Sequence, residues 1–129
     1  MIESAAEFIR LRTSEVPEEY GRAAQDAAPD AVWNEVIDRH ADMRKWVAQN
    51  KTIPEAIIRR LAEVGDLDTR LFLAYKKKTP PDLLEQLARD PSESVRLAVA
   101  RHPKLPEAAR KALSTDPYAE VRKVIAARG

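Results

Sequence analysis

Cysteine is absent from this chain. That excludes disulfides, thiolate metal ligands and a cysteine nucleophile, and it fits a reducing compartment. Glycine occurs only at Gly21, Gly65 and Gly129, too scattered for a loop that cradles phosphate on successive backbone N–H groups. The two histidines, His40 and His102, lie far apart and neither has a second ligand at i+4, so no zinc-type pair is present. No nucleophile elbow appears, and Asp66 and Asp68 fall at a helix start, where carboxylates act as caps. Aromatic residues make up 5% of the chain, which leaves small aliphatic side chains to do most of the packing. Long apolar runs are missing too. The amino terminus, MIESAAEFIRLR, is amphipathic and acidic early, neither a secretory signal nor a membrane span. These absences set an expectation of a cytoplasmic protein that is not an enzyme, holds no metal and needs no cofactor.

What is present is a repeat. Four stretches superimpose without a gap at a spacing of 26 residues. Arg44, Arg70, Arg96 and Arg122 share one column, and Ala48, Ala74, Ala100 and Ala126 share another. Val47, Leu73, Val99 and Ile125 stand just before the alanines; Pro54, Pro80 and Pro106, then Leu61, Leu87 and Leu113, recur at the same step. A fixed period of this size marks units that cannot bury their apolar faces alone and must stack. Hydrophobic content of 44% and a charged fraction of 33% suit a folded, helix-rich chain. Abundant alanine favours helix and close helix approach.

The unit DPSESVRLAVARHPKLPEAARKALSTD shows how each repeat is built. Asp90 is expected as an N-cap and Pro91 as a first-turn residue. Val95, Val99 and the alanines give a stripe at helical spacing, and His102-Pro103 ends it, because proline disfavours the α conformation before it. A second helix starts near Pro106 and runs through Ala109 and Leu113; Asp116-Pro117 opens the next unit. Each repeat thus reads as helix A, a tight turn and helix B. Residues 3–12, Pro17 to Ala27 (with Val16, Tyr20 and Ala24 on one side) and the segment with Pro29, Val32, Trp33 and Val36 read as helices of an acidic cap. The division expected is a helical cap over 1–39 and one continuous repeat domain over 40–129, ending in a lone helix A from Tyr118 to Arg128.

The motif D-P-x-x-x-V-R-x-x-V-A followed by P-E-x-x-x-x-x-L, present as DPSESVRLAVARHPKLPEAARKAL and DPYAEVRKVIAA, resembles the leucine-rich repeat variant, a short relative of HEAT and armadillo repeats. GDLDTRLFLA and HADMRKWVA are weaker copies, so the resemblance covers roughly residues 38–129. It implies an all-α, right-handed, HEAT-like solenoid, here of about 3.5 repeats of 26 residues, with some helices partly 3₁₀. Some members carry an iron–sulfur cluster on a cysteine-bearing segment, which this chain cannot supply. Related helical-repeat proteins are interaction scaffolds, cofactor-maturation factors and DNA-lesion glycosylases, so the resemblance speaks to fold more than to function.

Two columns of charge are candidates for function. Arg44, Arg96 and Arg122 each follow an aspartate by six residues (Asp38, Asp90, Asp116), whereas Arg70 has Val64 there. The column reads either as a ladder of anion-binding guanidiniums or as forks that join carboxylates and helix ends within and between repeats. The structural role is preferred, since the period itself explains the recurrence. The second column gathers Lys51, then Lys76, Lys77 and Lys78, then Arg101, His102 and Lys104, and finally Arg128 in the A-to-B turns. Stacked turns would align these into a basic edge able to steer an acidic protein or hold phosphates. The simpler alternative is a solvated edge of lysines at helix C-termini. Residues 1–43 carry ten acidic and four basic side chains, and residues 44–129 carry eleven and eighteen. A pI of about 8.0 and the lack of interleaved aromatics weigh against nucleic acid. Trp33 shares a column with Ile58, Leu84 and Arg110 and is expected to be a half-buried surface anchor. Trp46 and Phe72 share one with Ala98 and Val124 and are expected in the core.

The function expected is a non-enzymatic protein-binding scaffold with an acidic partner. The alternatives are a nucleic-acid binder using the basic edge, or an immunity-type protein that sequesters a toxin. A monomer, or a weak dimer through the terminal half-repeat, is the expected assembly.

Overall fold

Every regular element is a helix, because alternating apolar residues never persist while three- and four-residue spacings do. The computed structural model describes residues 1–128; Gly129, one of the three scattered glycines, lies outside them. Among the described residues there are ten α-helices, one 3₁₀ turn and no strand. The chain divides into two compact units, 1–65 and 66–129.

The first unit opens with α1 (Ala5–Thr13), α2 (Pro17–Gln25) and α3 (Asp30–Arg39). The 3₁₀ turn Ala41–Met43 leads directly into α4 (Arg44–Gln49), and α5 (Glu55–Val64) closes the unit. Ser4 caps α1 by accepting from the Glu7 N–H at 3.0 Å, while the Glu7 carboxylate accepts from the Glu3 N–H at 3.1 Å. The two bonds satisfy end groups that the helix itself leaves unpaired. α1 packs along α2, and α3 sits between α1, α4 and α5. Its apolar stripe, Val32, Trp33, Val36 and Ile37, is buried with Phe8, Leu11, Val47 and Leu61. Arg60 ties α5 back to α3, donating to the Asn34 side chain at 2.9 Å and to the Asp38 carboxylate.

In α2 the side with Val16, Tyr20 and Ala24 is not the covered one. Ala23 is the buried residue, whereas Val16 and Tyr20 remain 47% and 42% exposed. Gly21 lies in the middle of this helix, where a Cβ would meet nothing within 4 Å. Glycine there carries the entropic cost of helix formation without relieving any clash, so Gly21→Ala should raise stability by roughly 0.5–1 kcal/mol in a urea melt.

The second unit contains α6 (Leu67–Tyr75), α7 (Pro81–Leu87), α8 (Glu93–Ala100), α9 (Glu107–Leu113) and α10 (Ala119–Arg128). The A helices α6, α8 and α10 pack in succession, α7 packs on α9, and α8 touches both B helices. The expected helix–turn–helix units are therefore present. Leu73, Val99 and Ile125 are buried here, as Val47 is in the first unit. Ala74 and Ala100, fully covered, let successive A helices approach closely. Two caps differ from expectation. α8 starts at Glu93 with Ser92 as its cap, and α10 starts at Ala119. Asp90 and Asp116 instead accept from the N–H groups of Ser92 (2.9 Å) and Tyr118 (2.8 Å), leaving carboxylate lone pairs for arginine.

Candidate functional site

The arginine column resolves into a ladder. In the second unit Arg70 donates from Nε to Asp90 at 2.7 Å, and Arg96 donates from Nε to Asp116 at 2.7 Å; each adds an Nη2 contact at 3.4 Å. Each arginine thus reaches the aspartate twenty residues ahead. The aspartate six residues behind is engaged through its backbone: Arg96 Nη1 donates to the Asp90 carbonyl at 2.8 Å, and Arg122 Nη1 to the Asp116 carbonyl at 2.6 Å. In the first unit Arg44 donates to the carbonyls of Ile37 (2.8 Å) and Val64 (3.2 Å). Val64 stands where later repeats have aspartate, and its carbonyl takes over the role of acceptor. Asp90 and Asp116 are almost wholly buried. Such bidentate, charge-assisted pairs fix orientation as well as adding energy.

The turn column is held by side-chain N–H donors. His102 is buried and accepts from the Lys104 N–H at Nδ1 (3.0 Å), so its proton sits on Nε2, which donates to the Lys76 carbonyl at 2.8 Å. This bond spans one repeat and lays the turn of 101–104 against the turn of 76–78. Arg128 Nη1 donates to the Ala100 carbonyl at 3.3 Å. Asn50, at the same register in the first unit, was not foreseen. Fully buried, it donates to the carbonyls of Ala23 and Asp26, both at 2.9 Å, and accepts from Thr52. Lys77, Lys78, Arg101 and Lys104 are exposed, and among the described residues no carboxylate pairs with them. Lys51 is likewise exposed, with its N–H on the Ala24 carbonyl at 2.8 Å. The structure therefore gathers Lys76, Lys77, Lys78, Arg101, His102 and Lys104 on two adjoining turns, with His102 facing inward.

Burial, reinforced by the charge of Lys78, lowers the half-buried Lys76 ammonium to about 8 from its ordinary 10.5. Between those values the unfolded chain binds more protons than the folded one, so the lysine makes stability rise with pH across the window. Below about 8 both states are charged and the folded protein bears the full burial cost. Lys76→Met should abolish the rise between about 8 and 10.5 in urea melts; parallel pH profiles for the two proteins would contradict it.

The aromatics exchange the places expected of them. Trp33 is fully buried, its ring edge-to-face with Phe8 at 5.2 Å. Trp46 and Phe72 are only half-buried. The Arg12 guanidinium lies 3.5 Å over the Trp46 ring. Among the described residues no three His, Cys, Asp or Glu side chains converge to hold a metal ion, and no helix is long and apolar enough to cross a membrane.

Residues 94–117 match the family described as the leucine rich repeat variant. The span takes in most of α8, the turn with His102, and α9. No curated protein and no solved structure matches the chain. Both partners of the Arg96–Asp116 rung lie inside the matched span.

Proposed function

We propose that this protein is a non-enzymatic, HEAT-like scaffold of right-handed 26-residue repeats that binds an acidic protein through the turns of its second unit. One observation carries the reading. The His102–Lys76 hydrogen bond holds two basic turns side by side, so Lys77, Lys78, Arg101 and Lys104, which pair with no carboxylate among the described residues, occupy one edge beside Lys76. Lys76 supplies its charge only below about 8. The second unit carries thirteen basic and nine acidic side chains, and two of those acids, Asp90 and Asp116, are consumed by the ladder. Exposed charge of one sign steers association and selects partners of the other.

Replacing Lys77, Lys78 and Arg101 together by glutamate should leave the helical circular dichroism intact. Recovery of acidic proteins in a quantitative pull-down should fall by roughly tenfold or more. Undiminished recovery would remove the edge from the function. Duplex and single-stranded DNA, titrated with salt in parallel, separate the classes of partner: binding with a steep negative salt slope would replace the protein-binding reading with a nucleic-acid one.

A further inference from the structure

We infer that the first unit carries a second contact site, a groove on α2 that receives an extended segment of a partner protein and pairs one carboxylate of that segment with Arg12. Four observations converge there. The Arg12 guanidinium carbon lies over the Trp46 ring, 3.5 Å from its centre, and its Nε is buried with no hydrogen-bond partner. The ladder arginines, by contrast, all reach a carboxylate or a carbonyl. A buried donor left unpaired is costly, and a stacked guanidinium keeps its in-plane N–H edges oriented for an acceptor. Beside it lies a groove of about 590 Å³ lined by Arg12, Ser14, Tyr20, Gly21, Ala24 and Gln49.

The floor of that groove is open where it would normally be filled. Gly21 sits mid-helix with nothing within 4 Å of a Cβ, so no packing inside the chain calls for glycine, whereas the close approach of another backbone would. Val16 and Tyr20, one helical turn apart and both exposed, extend an apolar stripe that ends on Ala24 of the groove. An arginine and a tyrosine flanking an apolar strip are the residue types that anchor protein interfaces.

Charge selects the occupant. The first unit carries twelve acidic and nine basic side chains, with Glu15 and Glu18 exposed close to the groove in sequence. Glu19 is not available to Arg12, because Arg10 at 2.7 Å and Ser14 at 2.8 Å hold it and lower its carboxyl pKa. A polyanion would be repelled here; a mainly neutral segment with a single carboxylate would not. The site is thus distinct in unit and in ligand charge from the basic edge.

The probe is a display library of random 12-residue peptides panned against the full chain, with enriched peptides then measured by fluorescence anisotropy. Enriched peptides should share one Asp or Glu flanked by apolar residues. Arg12→Gln, or amidation of the peptide's acid, should each weaken binding by roughly tenfold to a hundredfold, and the two together no further than either alone. Gly21→Trp should abolish binding with the melting temperature unchanged or raised, which keeps the test decisive if Arg12→Gln unfolds. On binding, the ¹⁵N-resolved Arg12 guanidinium resonances should shift. The chain with Lys77, Lys78 and Arg101 reversed should bind the same peptides unchanged, so that failure of the groove and failure of the basic edge stay distinguishable. No enrichment, enriched peptides without an acid, or binding indifferent to Gly21→Trp would overturn the site.

Discussion

Asp116→Ala should lower the stability of the second unit by about 3–5 kcal/mol, because it strands a guanidinium that the fold has largely removed from water. The carboxylate accepts from Arg96 Nε at 2.7 Å and Nη2 at 3.4 Å, and from the Tyr118 N–H at 2.8 Å. The Asp116 and Arg96 side chains are 4% and 14% exposed. Solvent therefore cannot rescue the partner that remains. The exposed pair Arg10–Glu19 gives the contrast: at 58% and 33% exposure, solvent screens it and its loss should cost far less. Arg96→Ala should match Asp116→Ala, and the double variant should be no worse than either, giving a large coupling energy in a double-mutant cycle. Arg96→Lys should recover only part of the loss, since an ammonium cannot span both carboxylate oxygens. Urea melts of the four proteins read all of this. A cost below about 1 kcal/mol for Asp116→Ala would mean that the rung behaves as a surface pair and that the A helices are joined by apolar packing alone.

That rung also marks where the amino-acid pattern stops being informative. A period of 26 reveals that arginine and aspartate recur together, but an aspartate six residues behind one arginine is also the aspartate twenty residues ahead of the previous one. Periodicity cannot choose between the two, and geometry divides the roles: carboxylate forward, carbonyl backward. The same division moves the cap of α8 to Ser92, since Asp90 is already committed to Arg70. Apolar columns were legible because burial repeats wherever stacking repeats, and Val47, Leu73, Val99 and Ile125 are all buried. The turn column was legible only in part. Asn50, His102 and Arg128 differ in charge and share an N–H donor aimed at a carbonyl at or near the end of an earlier helix. Counting charge highlights the basic members and misses Asn50, so an edge that looked purely electrostatic is partly a seam between turns. The Arg12–Trp46 stack joins a helix outside the repeat to a helix within it, and no spacing rule connects position 12 to position 46.

The largest departure concerns Trp33, and Trp33→Ala should destabilise the first unit by about 3–5 kcal/mol. Its column includes Arg110, which is half-buried, and that neighbour argued for an exposed ring. The column holds only while the surroundings repeat. Ile58 and Leu84 are buried like Trp33, but α1 has no counterpart in the 26-residue unit and brings Phe8 edge-to-face onto the indole at 5.2 Å. A helix outside the repeat thus covers a position that column logic leaves open. Removing the indole deletes a fully buried side chain and the aromatic pair with Phe8 at once, and the cavity left can close only by shifting helices. Trp46→Ala offers the control: half-buried under Arg12, it should cost about 1–2 kcal/mol through lost cation–π contact and partial burial. The ordering of the two tryptophans in a urea melt therefore tests the core assignment. Should Trp33→Ala leave the melt unmoved while Trp46→Ala collapses it, the helix covering Trp33 would not pack there in solution, and Trp33 would again be free to meet a partner.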